Sequence, residues 1–348
     1  MCGIQRYMQA QALRLSGDFS IDALTYDTIA VSEPGPGEVL VRVRAVSLNY
    51  RDLMLVQGRY DPRVQKPRVP CSDGAGEVAA VGVGVSGFQQ GDRVVAPFFL
   101  QWMAGPPTSA APPSALGGAV DGMLIEYRVL PASALVRIPD TMSFDEAATF
   151  PCAAVTAWHA LVSTAGIGPA DTVLLLGTGG VSIFGLQIAK LRGARTIITS
   201  SSDEKLERAR ALGADHTINY RQHPEWDRQV RELTGKSGVT HVLEVGGAGT
   251  LPLSLGAAAI GAQVSMIGVL SGVEQPLNVL QILMKSLRVQ GIFVGSREML
   301  AESLAAFAAI GSRPVIDKTF VFTRAREAFR YLESGQHFGK VVVTLPQA

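Results

Sequence analysis

Cysteine is scarce in this chain, whose 348 residues include only Cys2, Cys71 and Cys152. Three cysteines cannot build the disulfide framework that stabilises small secreted domains. We therefore expect a protein of the reducing cytoplasm that depends on an apolar core. The first seven residues contain no apolar signal core, and they predict a short extension ahead of the first strand.

Excess charge is also missing, because 31 Lys and Arg residues nearly balance 30 Asp and Glu residues. A net charge of +1 without a basic run provides no attraction to nucleic acid or to an anionic membrane surface. Hydrophobic residues make up 47% of the chain and charged residues 18%, which indicates a large buried core. At this length, the composition predicts two globular domains and excludes nucleic acid as an expected partner.

Residues 245–273 contain no charged side chain and are numerous enough to span a bilayer. They also contain Pro252 and seven glycines, a density that suits short buried elements joined by tight turns. We therefore predict that this stretch belongs to a globular core and that the chain does not insert into a membrane.

Short alternating strands dominate the chain up to about residue 137. Apolar and polar residues alternate in 8–15 and 38–46, and two further short strands are predicted at 76–83 and 92–96. Strands of this length, separated by glycine and proline turns, predict a small β-barrel.

Strand–helix pairs follow one another from Ser143 onwards. Five apolar segments predict buried strands, and a segment with the periodicity of a helix follows the first of these strands. The predicted strands are 172–176, 195–199, 239–245, 263–268 and 287–294. Alternating βα units predict an α/β fold with a parallel, doubly wound sheet. A helix over 299–310, another around 325–332 and a last strand over 340–345 complete the chain.

A glycine turn, Gly177-Thr178-Gly179-Gly180, joins the first of these strands to a helix predicted over 181–192. Gly177 suits the tight turn, and Gly179 and Gly180 allow backbone N–H groups to approach a pyrophosphate. The helix N-terminus adds a partial positive charge for the same anion. This pattern predicts a dinucleotide-binding site, with small Ser182 where a third glycine is common.

An acidic residue is missing at the end of the second strand of this sheet. An Asp or Glu there would bond the ribose 2′-OH of NADH and repel the 2′-phosphate of NADPH. The chain has Ser200 and Ser201 instead, Lys205 is close by, and the first acid is Asp203 inside the next helix. We therefore predict NADPH as the cofactor.

Together, these motifs resemble the medium-chain dehydrogenase/reductase superfamily, and more narrowly its zinc-independent quinone oxidoreductase-like branch. The resemblance implies a Rossmann domain inserted into a GroES-like β-barrel catalytic domain, with residues 1–137 and 295–348 forming the catalytic domain and 138–294 the NADP-binding domain. The segments that carry it are 34–41, 49–52, 73–78, 91–94, 147–157, 177–182 and 211–214.

Zinc enzymes of that superfamily hold their catalytic metal through a Cys, a His and a second Cys. The corresponding positions are Asn49–Tyr50, Ser72 and Cys152, so the resemblance implies no zinc. Cys71 and Asp73 flank the second position, which leaves a degenerate metal site as an alternative. The five histidines have no metal-binding spacing, and residues 97–122 lack the cysteines of a structural zinc lobe.

Without a metal, a conjugated acceptor is the easiest substrate to reduce, because hydrogen-bond donors alone can meet the charge that moves to its oxygen. We therefore expect hydride transfer from NADPH to a quinone or an α,β-unsaturated carbonyl. The resemblance places Asn49, Tyr50 and Tyr60 beside the nicotinamide as candidate donors. Alternatives are an alcohol dehydrogenase acting on an alcohol, aldehyde or ketone, and an NADPH-binding structural or RNA-binding protein.

The resemblance also implies the cofactor contacts and the assembly. The strand at 287–294, which contains Gly291, is similar to the one that pairs subunits in family dimers, so a homodimer is expected. Lys340 is a candidate phosphate ligand or, alternatively, a solvated lysine. The other residues carried over to the cofactor are Thr156, Gly177, Gly179, Gly180, Val181, Ser200, Ser201, Lys205, Tyr220, Gly246, Gly268, Val269, Phe293 and Val294.

Overall fold

The computed structural model describes residues 7–61 and 63–346. The predicted N-terminal extension and Cys2 therefore lie outside the described residues. The chain divides into two compact units, one formed by the chain up to Val155 and again from Val294, and the other by Thr156–Phe293.

The elements alternate along the chain as follows. The strands are β1 Tyr7–Leu15, β2 Leu24–Ser32, β3 Glu38–Leu48, β4 Asp73–Val81, β5 Arg93–Val95, β6 Tyr127–Pro131, β7 Val136–Arg137, β8 Thr172–Leu175, β9 Arg195–Ser200, β10 His216–Asn219, β11 Val239–Glu244, β12 Ala258–Met266, β13 Arg288–Gly291, β14 Ile316–Val321 and β15 Lys340–Thr344. The helices are α1 Tyr50–Val56, α2 Phe144–Ala148, α3 Val155–Trp158, α4 Gly180–Leu191, α5 Asp203–Ala211, α6 Trp226–Leu233, α7 Leu251–Ala257, α8 Leu280–Met284, α9 Arg297–Ala309 and α10 Ala325–Glu333.

The first unit is the predicted β-barrel domain. Its main sheet has the strand order β14-β15-β3-β4-β5-β7, with β6 pairing β3, and β1 pairs β2 in a separate antiparallel ribbon. The last strand, β15, pairs antiparallel with β3, so the C-terminal segment completes a sheet begun by the N-terminal one. The inward-facing apolar residues of the main sheet and of the β1–β2 ribbon form one continuous core with those of α1 and α10.

The second unit is a six-stranded parallel sheet with the order β10-β9-β8-β11-β12-β13. The order reverses at β8, which is the switch point where dinucleotides bind in doubly wound sheets. The α/β prediction and the Rossmann prediction are therefore confirmed. The strand predicted over 287–294 is shorter than expected, since only Arg288–Gly291 is paired, and this strand forms an edge of the sheet.

Residues 138–155, expected in the second domain, belong to the first unit. Ser143 and Glu146 form a capping box that starts α2. Phe150 then packs edge-on against Phe307 of α9, with ring centroids 5.2 Å apart. Aromatic packing and a buried hydrogen bond from Cys152, described below, hold this helical segment to the barrel domain.

The uncharged stretch 245–273 folds as globular structure. It contains the short helix α7 and the whole of β12, a strand paired on both sides. Within the described residues, no helix combines the length and apolar character needed to cross a bilayer.

Candidate active site

Asn49 lies at the junction of β3 and α1 and is only 8% exposed. Its backbone N–H donates to the Asp52 carboxylate, with N and Oδ2 2.9 Å apart. An Asn followed by an acid three residues later is a helix-start signal, because the acid can accept from the otherwise unpaired first N–H group. The residue is therefore fixed at a rigid corner of the domain.

The Asp52 carboxylate extends the site to Tyr60 through Arg51. Arg51 Nη1 donates to Asp52 Oδ1 and to the carbonyl oxygen of Leu116, both at 3.0 Å. The guanidinium also lies over the Tyr60 ring, 4.7 Å from its centroid. Burial raises the pKa of Tyr60 and Arg51 opposes the shift, so the phenol is protonated at neutral pH and can donate a hydrogen bond.

Lys340 reaches the other side of Asn49. The antiparallel register of β15 and β3 places Val341 opposite Leu48, so the preceding residue, Lys340, comes next to Asn49. Its ammonium donates to the Leu48 carbonyl oxygen at 2.8 Å and to Asn49 Oδ1. Lys340 is 3% exposed, so the alternative of a solvated lysine is wrong.

Asp73, the first residue of β4, is fully buried beside this pair. Its carboxylate accepts from Ser72 Oγ at 2.6 Å and from the backbone N–H of Cys152 at 3.1 Å. Burial raises the pKa of Asp73 to about 6, and the positive charge of Lys340 is the main opposing influence. The Asn49 amide also lies close to this carboxylate, but Nδ2 has no partner at hydrogen-bond geometry.

These residues do not fit a catalytic zinc. The Ser72 hydroxyl is used by Asp73, and burial raises the pKa of the Cys152 thiol, which disfavours the thiolate that zinc requires. The Lys340 ammonium, a donor that cannot bind a metal, contacts Asn49. Over the residues described, no three His, Cys, Asp or Glu side chains are grouped so as to hold a metal ion.

Of the three predicted catalytic residues, Asn49 and Tyr60 share the chain of contacts through Asp52 and Arg51. Tyr50, by contrast, is 37% exposed on the first turn of α1. No role was predicted from the sequence for Arg51 or Asp52, and Asp73 was predicted only as a flanking residue of a degenerate metal site. The capping pattern, Asn49 followed by Asp52, was the sequence signal that could have identified Arg51 and Asp52.

The glycine turn of the second unit has the geometry of an anion cradle. Gly177 has a φ of +74°, which a residue with a side chain rarely adopts, and Gly179 caps α4. A Cβ added at Gly177 or Gly179 would meet no atom within 4 Å, so open space lies where a ligand would approach. Ser182 Oγ donates to the Leu176 carbonyl oxygen at 2.6 Å and ties the helix start to the strand. This turn therefore fits a dinucleotide pyrophosphate.

The end of β9 has the polar character predicted for it. Ser200 is 3% exposed, its carbonyl oxygen accepts from the Tyr220 N–H at 3.1 Å, and its hydroxyl accepts from the Ser202 N–H at 3.3 Å. The Asp203 carboxylate accepts from Asn219 and Gln222, at 2.7 and 3.0 Å. The first acid after β9 in the sequence is thus bound by the last residue of β10 and by a residue of the loop that follows it.

A buried carboxylate that the sequence analysis did not single out shapes the loop after β11. Glu244 Oε1 accepts from the N–H groups of Gly246 and Gly247, at 2.8 and 2.9 Å. A Cβ on Gly268 would lie 2.3 Å from the Val245 carbonyl oxygen, so close backbone packing requires glycine there. The cofactor roles of the residues carried over by resemblance, including Thr156, Val269, Phe293 and Val294, remain predictions.

Comparison with known proteins bears on both units. Residues 35–140 match the alcohol dehydrogenase GroES-like domain family, and residues 180–309 match the zinc-binding dehydrogenase family. A zinc-type alcohol dehydrogenase-like protein of Schizosaccharomyces pombe is 48% identical over 316 residues, covering 89% of this chain and 91% of the relative. The chain belongs to the medium-chain dehydrogenase/reductase superfamily. It is therefore an NAD(P)-dependent oxidoreductase.

Two other members of the superfamily extend the comparison. The crystal structure of an NAD-dependent alcohol dehydrogenase is 37% identical, with a TM-score of 0.89 over 97% of this chain and 100% of that one. A 2-haloacrylate reductase from a Burkholderia species is 30% identical over 346 residues, covering 94% of this chain and 96% of the relative. The superfamily thus includes enzymes named for different substrates.

Proposed function

We propose that this medium-chain dehydrogenase/reductase is a zinc-independent, NADPH-dependent reductase of quinones or α,β-unsaturated carbonyl compounds. The observation that carries the proposal is the Asn49–Lys340–Asp73 cluster. A buried ammonium contacts the amide of Asn49, a position that the resemblance assigns to the first zinc ligand of the metal-dependent enzymes. The site therefore has hydrogen-bond donors as its means of stabilising negative charge on oxygen.

Hydrogen-bond donors of this kind suit a conjugated acceptor. Bound NADPH supplies a hydride to the β-carbon of an enone or to a quinone ring, and the electron pair moves to the carbonyl oxygen. The Asn49 amide, whose buried Nδ2 lies near Asp73 but makes no hydrogen bond of good geometry, is the proposed donor to that oxygen. A single donor of this kind contributes about 3 kcal/mol to the transition state. Tyr60, kept protonated, or a water molecule supplies the proton that completes the reduction.

The 2-haloacrylate reductase supports this class of acceptor. Its name describes reduction of an acrylate, a conjugated carbon–carbon double bond, by a protein alignable over 94% of this chain. The other two relatives are named as a zinc-type alcohol dehydrogenase-like protein and an NAD-dependent alcohol dehydrogenase, and they support the alternative in which this chain acts on an alcohol, aldehyde or ketone.

NADPH is proposed from the end of β9. The neutral Ser200 is the last residue of β9, a position at which NADH-specific sites have an acid. Ser201 and Lys205 are nearby donors for a 2′-phosphate, and the Asp203 carboxylate is bound by Asn219 and Gln222. One relative is named as NAD-dependent, so the preference of this chain for NADPH over NADH is tested by kinetics with both cofactors.

NADPH oxidation by chelator-treated protein tests the proposed acceptor class. We expect turnover of a 2-alkenone or a quinone at the untreated rate, and at least about 100-fold lower kcat/KM for the matching saturated ketone, since its oxygen gains charge without conjugation. Turnover of the ketone alone, lost on chelation and restored by zinc, would contradict the proposal and identify an alcohol dehydrogenase.

We also propose a homodimer formed through β13. This edge strand is exposed over its whole length, and an unpaired edge can extend its sheet with a second copy. Large apolar side chains are exposed on it and on the preceding helix, namely Val289, Leu280, Leu283 and Met284. Light scattering at micromolar concentration should give twice the chain mass, and Val289→Lys should lower it. A wild-type monomer would contradict the proposal.

A further inference from the structure

Lys340 is an unusual lysine, because its ammonium is buried in the barrel domain and contacts no solvent-exposed partner. The strand register brings it to the end of β3, where it donates to the Leu48 carbonyl oxygen and to Asn49 Oδ1. Burying an ammonium is costly unless it is paired and hydrogen-bonded. Asp73 supplies the opposing charge, so the lysine is retained as part of a neutral cluster.

The contact with Lys340 determines which way the Asn49 amide faces. An ammonium has three donors and no acceptor, so the amide atom that contacts it has to be the oxygen. The reversed amide would place two donors against each other in a buried site. Oδ1 therefore faces Lys340, and the buried Nδ2 faces away from it, close to the Asp73 carboxylate but without a partner at hydrogen-bond geometry.

Backbone contacts hold the same residue from the other side. Asp52 accepts from the Asn49 N–H at 2.9 Å, which fixes the main chain while Lys340 fixes the side chain. Asp52 is 3 residues from Asn49 in the chain, whereas Lys340 is 291 residues away. Such a pair of restraints is expected for a group whose donor has to be aimed before a ligand arrives.

We infer that Lys340 is a positioning residue, which holds the Asn49 amide with its oxygen inward and so presents Nδ2 as a donor to the substrate oxygen. This inference rests on the proposed reductase function, in which Asn49 makes that hydrogen bond. Lys340 acts through Asn49 and does not itself contact the substrate. Its removal should lower kcat, because the amide oxygen then has no ammonium to hold it and only the neighbouring Asp73 carboxylate still favours the productive orientation.

A double-mutant cycle with Asn49 tests this inference. Lys340→Met should lower kcat about 30-fold and leave the acceptor KM and the Kd of NADPH within about 2-fold. In an Asn49→Ala background the same substitution should cost less than about 3-fold, since no amide remains to be positioned. Lys340→Gln, which retains an N–H donor but no charge, should recover most of the lost kcat.

The design separates positioning from folding. Lys318 is an exposed lysine of the neighbouring strand β14. Lys318→Met is therefore the matched control and should have wild-type activity. If Lys340→Met alone does not fold, the comparison is made between Asp73→Asn and Asp73→Asn/Lys340→Met, of which the double variant removes the buried carboxylate and the buried ammonium together. The second of these should still show the loss of kcat relative to the first.

Two results would overturn the inference. Equal losses in the wild-type and Asn49→Ala backgrounds would show that Lys340 acts independently of Asn49. A rise in the Kd of NADPH would make Lys340 a phosphate ligand. Failure of the wild type to reduce an enone or a quinone would instead contradict the proposed function, and the cycle would then be measured on the acceptor that the wild type does reduce.

Discussion

Asn49→Asp is expected to lower kcat/KM for the conjugated acceptor by about 100- to 1000-fold, the loss typical for one donor to a developing oxyanion. Aspartate has nearly the shape of asparagine and keeps an oxygen for the Lys340 ammonium, but it has no N–H group to give. The NADPH Kd should change by less than about 3-fold. Steady-state kinetics with a 2-alkenone, together with NADPH fluorescence titration, measures both quantities.

Asn49→Ala and an exposed asparagine provide the comparison for this prediction. Asn49→Ala removes the donor and the lysine contact together, so it should lose at least as much activity as Asn49→Asp. Asn278→Ala, on an exposed loop of the second unit, should retain wild-type activity. If Asn49→Asp retained activity within about 3-fold of wild type, Asn49 would not be the donor.

Ser200→Asp is expected to lower the preference for NADPH over NADH by about 100-fold, or roughly 2.7 kcal/mol. The new carboxylate would stand at the end of β9, where it repels a 2′-phosphate and accepts from a ribose 2′-OH. The measurement is kcat/KM for each cofactor with a saturating acceptor. Thermal unfolding of the variant checks that the buried serine position tolerates the larger side chain.

Ser237→Asp is the matched control, because it adds the same charge at an exposed position of the second unit. It should leave the cofactor ratio unchanged. A Ser200→Asp variant that folds and keeps the wild-type ratio would show that the 2′-phosphate is not recognised at the end of β9.

The cofactor half of this protein was largely predictable from its sequence. A parallel strand buried on both faces is almost wholly apolar, as in Thr172–Leu175, and the glycine turn after it has few alternative structures. β10 escaped prediction because its four residues, His216–Asn219, lack both alternation and an apolar run. β13 was overestimated, since apolar residues continue beyond the part that pairs.

The candidate catalytic cluster was much less predictable. A hydrophobic pattern gives the face of a strand but not the residue opposite it, so the contact of Lys340 with Asn49 depends on the register of β15 against β3. Asp73 was visible only as a neighbour of Ser72. Asp73 accepts a hydrogen bond from the N–H of Cys152, which lies in a helical segment of the first unit. From the sequence, that segment was expected in the second domain.

The most direct test of the central claim is to follow the hydride itself. The protein is incubated with a 2-alkenone and NADPH that carries deuterium at nicotinamide C4, using each stereoisomer in turn, and the product is analysed by NMR and mass spectrometry. The proposed reduction predicts a saturated ketone with deuterium on the β-carbon. An allylic alcohol with deuterium on the former carbonyl carbon would contradict it and establish an alcohol dehydrogenase.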